Sequence, residues 1–200
     1  MRVPWLAVFL FVSVLFAGAA DPARSAPAPA DMEMALGRDD APVTIIEYAS
    51  LSCPHCAKFH EETLPALREK YIDTGKVRLV FREFPLERTA FLASIIARCA
   101  GEKRYFAFID AFFKKQRAWY SADDPFEALL RIARLGGLSA KDVKACVEDE
   151  ALGDGILQTR LDAEQEHGIS STPSFVIDGK TYLGALTLEE VEKIIIPLIP

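Results

Sequence analysis

Two cysteines separated by two residues, Cys53 and Cys56, lie between a strand-like segment and a helix-like segment of this chain. Before them, Val43–Ala49 is a short, β-branched apolar run, which is typical of a strand buried on both faces. After them, apolar side chains recur at helical spacing. Pro54 suits the first turn of a helix, where its missing N–H would have no partner, whereas Pro65 lies inside the pattern and predicts a bend. The sequence therefore predicts a strand, a turn that carries both cysteines, and a helix.

The rest of the chain continues this unit with a second strand, a helical block and a terminal hairpin. Residues 76–84 alternate in polarity as a strand does, which completes a βαβ unit. Residues 88–150 repeat apolar side chains at helical spacing and predict about four helices. A helix over residues 152–166 and an Asp178-Gly179 dipeptide between two apolar runs predict a helix followed by a β-hairpin. Residues 188–196 predict a final helix, with a capping box at its start.

The N-terminus has the features of a secretory signal. Arg2 precedes a long apolar run that small residues close, so cleavage is expected after Ala19 or Ala20. An uncleaved membrane anchor is the alternative. Residues 21–31 are rich in proline and alanine and predict a flexible leader.

Composition and charge exclude some classes of protein. The chain is 50% hydrophobic and 26% charged, which is ordinary for a globular protein. Its formal net charge is −6, and loss of Arg2 with the signal would make it one unit more negative. Because no basic stripe offsets this balance, nucleic-acid binding is not expected.

The spacing of Cys53 and Cys56 suits thiol–disulfide exchange, which needs a stabilised thiolate and a second sulfur close enough to resolve a mixed disulfide. At the start of a helix, Cys53 would face unpaired N–H groups and the positive end of the helix dipole, with Cys56 one turn further in and less exposed. We therefore expect Cys53 to be the attacking thiolate and Cys56 the resolving thiol. Pro54 stiffens the turn, and His55 adds stabilisation to the thiolate, which makes the disulfide more oxidising.

The Cys53-Pro54-His55-Cys56 motif between a strand and a helix, with Thr172-Pro173 before a distant hairpin, resembles the DsbA family of thiol:disulfide oxidoreductases. The segment of residues 41–50 that leads into the motif is also similar to the family. The resemblance implies an α/β thioredoxin fold, with a central mixed sheet flanked by helices and an inserted all-helical domain. The implied organisation is a signal peptide (1–20), a leader (21–31), a thioredoxin domain in two parts (32–87 and 152–200) and the helical insertion (88–151).

The same resemblance implies a function. It implies oxidation of reduced, unfolded exported proteins, followed by reoxidation by a membrane quinone-linked thiol oxidase. Together with the signal, it implies a periplasmic location. No separate dimerisation domain is evident, so a monomer is expected, and no cofactor is predicted.

Two further positions match the family individually, and two others depart from it. Pro173, after Thr172, matches a cis-proline whose loop faces the cysteine pair and offers backbone hydrogen bonds to a substrate strand; an ordinary trans proline is the alternative. Glu47 matches a buried acid that influences thiol ionisation, although a glutamate in a strand is more often solvated.

His60 stands where some members carry an acid. Thr172 stands where the best known oxidase has valine, and threonine there is also found in isomerases and reducing relatives.

Cys99 and Cys146 lie on apolar faces of the helical block. Export favours a disulfide between them, and the family resemblance implies such a second disulfide in some relatives. Two unpaired buried thiols are the alternative. A zinc site is not expected because a second ligand motif is missing, and covalent haem is excluded because Ala57, not histidine, follows Cys56.

Two alternatives to an oxidase remain open from the sequence. One is a disulfide isomerase or reductase of the same fold, which Thr172 favours. The other belongs to a different class, a binding or chaperone-like module in which Cys53 and Cys56 form a static structural disulfide. The reduction potential distinguishes these possibilities, since structural disulfides lie below about −300 mV.

Overall fold

A five-stranded mixed sheet lies at the centre of the computed structural model, which describes residues 26–200. The strand order is β1-β3-β2-β4-β5; β2 and β3 are parallel, and the other neighbours are antiparallel. The signal predicted over residues 1–20 and the first part of the leader lie outside the described residues. The strands are β1 (Met34–Leu36), β2 (Val43–Ala49), β3 (Val77–Glu83), β4 (Ser174–Ile177) and β5 (Lys180–Leu183).

The helix that follows β2 spans residues 54–72 and is irregular. It consists of α1 (Pro54–Lys58), a π-helical segment (Phe59–Thr63), α2 (Leu64–Leu67) and a second π-helical segment (Arg68–Ile72). The bend predicted at Pro65 takes the form of the wider π turn before it, where the N–H of Leu64 donates to the carbonyl oxygen of Phe59. Such a turn accommodates a proline that lacks a donor and crowds the preceding turn.

Residues 88–150 form five helices where the sequence predicted about four. The additional helix is α5, whose 5 residues are too few to show an apolar period. A longer helix, α8, returns the chain to the sheet. The domain boundaries assigned from the sequence stay a prediction. The helices are α3 (Arg88–Cys99), α4 (Glu102–Lys114), α5 (Gln116–Tyr120), α6 (Pro125–Leu135), α7 (Ala140–Val147) and α8 (Glu150–His167).

The hairpin and the final helix agree with their sequence signals. Asp178 and Gly179 connect β4 to β5 with φ angles of 50° and 71°, the positive values that a tight hairpin turn of this kind requires. Helix α9 (Leu188–Ile195) begins with the predicted capping box, in which Thr187 and Glu190 bond to each other's backbone N–H.

Helices cover both faces of the sheet, with a hydrophobic core on each side. On one side, the helical region (residues 88–150) packs its apolar side chains, among them Ile95, Phe112 and Trp119, into a core. This core also contains Cys53 and Cys56. On the other side, the helix over residues 54–72 and α9 pack against β2, β3 and β4. The cysteine pair therefore lies where the helical region meets the sheet.

The N-terminal segment differs from the prediction of a flexible leader through residue 31. Ala28 is 2% exposed, and its N–H donates to the carbonyl oxygen of Arg98 at 2.8 Å. The Arg98 guanidinium in turn donates to the carbonyl oxygens of Pro29 and Met32. These contacts are made with a residue far along the chain, so the local proline-rich composition gave no sign of them. Strand β1, which is only 3 residues long, was also not predicted.

Candidate dithiol site

The turn after β2 places Cys53 at the N-cap of α1. Its backbone is extended, with φ −79° and ψ 119°, and its N–H donates to the carbonyl oxygen of Ser50 at 3.0 Å. Its own carbonyl oxygen accepts the N–H of Ala57 at 3.1 Å, the first hydrogen bond of the helix. Both cysteines are reduced; Cys53 keeps 6% exposure, and Cys56, inside the first turn, is fully buried.

The surroundings of Cys53 stabilise its thiolate and lower its pKa to about 5 from an ordinary value of 9.0. The largest cause is the hydrogen bond from the Cys56 thiol. Burial opposes it, and the Thr172 side chain and the backbone N–H groups of Cys56 and His55 add to it. Free donors at a helix N-terminus favour an anion in this way. The His55 side chain itself is exposed, whereas its backbone contributes directly.

Cys56 is shifted in the opposite direction. Burial raises its pKa well above the ordinary value, and the hydrogen bond with Cys53 and the negative charges of Cys53 and Glu47 raise it further. At neutral pH one sulfur of the pair is therefore ionised and the other holds its proton. This asymmetry suits a nucleophile and a resolving thiol.

A loop from the far end of the chain completes the site. The peptide bond between Thr172 and Pro173 is cis. The Cys53 Sγ lies 3.2 Å from the carbonyl oxygen of Thr172, to which the protonated thiol donates. The Thr172 hydroxyl is buried and has no hydrogen-bond partner among residues 26–200 while Cys53 is a protonated thiol. It is therefore able to donate to the Cys53 sulfur when this is a thiolate.

A groove of 320 Å³ opens beside this loop. The helix over residues 54–72 forms one wall, and the segment between β5 and α9 forms the other. Its lining is mixed, with the apolar groups of Phe59 and Leu186 next to the polar groups of His55 and Thr172. The groove thus shares His55 and Thr172 with the surroundings of Cys53.

Glu47 is buried, not solvated, and pairs with His60. The Glu47 Oε2 lies 3.0 Å from the His60 Nε2, and neither side chain is more than 2% exposed. The imidazole is enclosed by aromatic rings, with its centroid 4.3 Å from that of Phe113. The sequence placed both residues near the motif, but it did not predict their contact.

Gln116 is a member of the site that the sequence analysis missed. It begins α5 and is 9% exposed. Its Nε2 donates to the carbonyl oxygens of Leu51 at 2.8 Å and Cys53 at 2.9 Å. No motif marks a lone glutamine between lysine and arginine, so the sequence carried no signal for it.

The second cysteine pair lies in the helical region. Cys99 and Cys146 form a disulfide that connects α3 to α7, with their Cα atoms 5.9 Å apart. In the described part of the chain, no group of three or more histidine, cysteine or acidic side chains is arranged to hold a metal ion. Nor is any helix between residues 26 and 200 long and apolar enough to cross a membrane.

A reduced cysteine pair at a helix start, beside a cis-proline loop on a mixed sheet, defines a thioredoxin-fold protein with a dithiol site. Comparison with known proteins agrees, since a family model described as Thioredoxin matches residues 30–196. The solved structure of alpha-DsbA1 from Wolbachia pipientis is 34% identical, with a TM-score of 0.77 over 86% of this chain and 92% of that one. The chain belongs to the DsbA family of the thioredoxin superfamily.

Two further proteins are also similar to this chain. A Rickettsia bellii protein named "Putative protein-disulfide oxidoreductase" is 34% identical over 148 residues, which are 74% of this chain and 57% of that protein. The chain thus spans little more than half the length of this curated relative. A protein-disulfide isomerase from Novosphingobium aromaticivorans shares the fold, with a TM-score of 0.73 and 23% identity over 86% of this chain and 98% of that one.

Proposed function

We propose that this chain is a thiol:disulfide oxidoreductase that introduces disulfide bonds into reduced, unfolded exported proteins by exchange at Cys53 and Cys56. The observation that carries the proposal is the placement of the two sulfurs, with Cys53 at the N-cap of α1 and the buried Cys56 inside its first turn, which lowers the pKa of Cys53 and raises that of Cys56. A static structural disulfide would not need a stabilised thiolate.

In the proposed reaction the oxidised protein carries a Cys53–Cys56 disulfide. A substrate thiolate attacks the Sγ of Cys53, the bond between Cys53 and Cys56 breaks, and Cys56 leaves as a thiolate and takes a proton. A second substrate thiolate then attacks the substrate sulfur of this mixed disulfide, and Cys53 leaves as a thiolate. The substrate loses two electrons and forms its disulfide, while the enzyme gains them as a dithiol.

The low pKa of Cys53 favours the second exchange. A sulfur that is stable as a thiolate is a good leaving group, and stabilising the reduced enzyme makes its disulfide more oxidising. The cis-proline loop and the groove beside it supply a surface for the substrate chain. Each turnover leaves the enzyme reduced, and we propose that a membrane quinone-linked thiol oxidase reoxidises it.

The proposed location is the periplasm, and the proposed state is a monomer. The location rests on the signal over residues 1–20 together with family membership.

A disulfide isomerase or reductase is a second candidate, which the position of Thr172 favours. Its buried hydroxyl lies in the loop that contacts Cys53, where it stabilises the thiolate and can change how long a mixed disulfide survives. Net oxidation of a reduced protein distinguishes an oxidase from an enzyme that rearranges existing disulfides.

The test is to measure the reduction potential of the Cys53–Cys56 pair against glutathione and the oxidation of a reduced, unfolded test protein. We expect a potential far above about −300 mV and catalysed oxidation that Cys53→Ser abolishes. The control is the double variant Cys99→Ala/Cys146→Ala, which keeps the dithiol site and should keep the activity. A potential below about −300 mV, or activity in Cys53→Ser, contradicts the proposal.

A further inference from the structure

Gln116 connects the helical region to the backbone of the cysteine turn. The two hydrogens of its amide nitrogen are both used, one on the carbonyl oxygen of Leu51 at 2.8 Å and one on that of Cys53 at 2.9 Å. Gln116 lies in α5, whereas both acceptors lie in the turn between β2 and α1. A buried side chain from the insertion therefore holds the turn that carries the sulfur.

The two hydrogen bonds act on the residue that contains the reactive sulfur. The carbonyl oxygen of Cys53 also accepts the N–H of Ala57, so both of its lone pairs are occupied. The bond from Gln116 constrains the extended N-cap backbone, beside which the backbone N–H groups of His55 and Cys56 help to lower the pKa of Cys53.

The same bonds change the charge that the sulfur experiences. A carbonyl oxygen carries partial negative charge, which opposes the ionisation of a neighbouring thiol. Without Gln116, the Leu51 oxygen would lose the donor that this side chain supplies, and the Cys53 oxygen would keep the N–H of Ala57. Two donated hydrogens at Leu51 and Cys53 offset this charge in a buried, low-dielectric place, where such effects are strong. An amide does not titrate, so Gln116 can act on Cys53 by position and polarity but cannot transfer a proton.

We propose that Gln116 is a positioning residue of the dithiol site, which holds the Cys53 turn in the geometry that stabilises the thiolate and thereby couples the helical insertion to the reactivity of the cysteine pair. The biological role of this contact rests on the proposed exchange function. Its physical content, the effect of one amide on one sulfur, can be measured without any substrate.

The test variant is Gln116→Met, which is similar in length and carries no donor. In the reduced full-length protein, the ultraviolet absorbance of the Cys53 thiolate is followed against pH. We expect the acid dissociation constant of Cys53 to fall about tenfold, which is one pKa unit. The equilibrium with glutathione should shift by up to about tenfold toward the oxidised enzyme, or about 30 mV.

Trp119→Phe is the matched control. Trp119 lies in the same short helix, and its Nε1 donates to the carbonyl oxygen of Phe112 at 2.8 Å, which is a buried bond within the helical region. This variant loses a donor of similar burial but none at the cysteine turn. It should lower stability without moving the Cys53 titration.

The outcomes separate the inference from the proposed function. An unchanged Cys53 titration in Gln116→Met, or an equal shift in Trp119→Phe, overturns the role of Gln116 even if the wild type oxidises proteins. A wild type without exchange activity contradicts the proposed function, while the titration still decides the role of Gln116. If Gln116→Met does not fold, as judged by circular dichroism, Gln116→Leu is titrated in its place with the same expected shift.

Discussion

The sulfur of Cys53 lies 3.2 Å from the carbonyl oxygen of Thr172, although 119 positions of sequence separate the two residues. This contact, which the protonated thiol makes, holds the cis-proline loop against the start of α1, where the Thr172 side chain helps to lower the pKa of Cys53.

Ionisation of Cys53 should make the stability of the reduced protein depend on pH. The pKa is about 5 in the folded protein and near 9.0 in the unfolded chain, so the stabilisation is complete above pH 9.0 and is lost as pH falls through 5. Between about pH 5 and about pH 7 the gain should be about 2–3 kcal/mol. Urea unfolding in reductant measures it, and Cys53→Ser provides the reference. Equal pH dependence of the two proteins would show that the thiolate is not stabilised.

The disulfide between Cys99 and Cys146 should contribute substantially to stability. It closes a loop with a sequence separation of 47, for which the chain-entropy estimate is about 4 kcal/mol. The double variant Cys99→Ala/Cys146→Ala should lower the free energy of unfolding by about that amount, measured in a Cys53→Ser/Cys56→Ser background so that no other disulfide can form. A loss of less than about 1 kcal/mol would contradict this expectation.

The contact between Glu47 and His60 should show as non-additive stability. His60→Leu leaves the buried Glu47 carboxyl group without its partner and should cost about 3 kcal/mol. The double variant Glu47→Leu/His60→Leu removes both polar groups and should be less destabilised than the sum of the single variants. Urea unfolding of the four proteins gives the coupling energy. Strict additivity would mean that the pair does not interact.

Arg98 should be essential for attaching the N-terminal segment. Its guanidinium donates to the buried Glu83 carboxylate at 2.6 and 2.9 Å and also to the carbonyl oxygens of Pro29 and Met32. Among residues 26–200, Arg98→Met leaves this carboxylate with one side-chain donor, the Tyr105 hydroxyl, and should cost about 3–5 kcal/mol.

The same variant should expose the N-terminal segment to protease. Limited proteolysis, followed by mass spectrometry, should cut Arg98→Met near residues 28–33 faster than the wild type. Arg38→Met is the control, because Arg38 pairs with Asp40 on the surface and should change both measurements little. Equal protection of wild type and Arg98→Met would refute the attachment.

The sequence by itself determined the local elements and the chemistry of the motif. Strand β2, the helix that starts at Pro54, the Asp178-Gly179 hairpin and the Thr187 capping box were all predicted, because each depends on residues within a few positions of one another. The resemblance to the DsbA family predicted the overall fold, because it combines two motifs that lie far apart in the sequence, at residues 53–56 and 172–173.

Only the tertiary structure decided which distant groups meet at the cysteine pair. The turn contacts Thr172 from one side and Gln116 from the other, Glu47 is buried against His60, and Arg98 holds a segment that looked flexible. Periodicity and turn signals report a residue's relation to its near neighbours along the chain, whereas these contacts arise where the insertion packs on the sheet. The Cys53-Pro54-His55-Cys56 motif thus predicted thiol chemistry, and the packing around it set the ionisation of each sulfur.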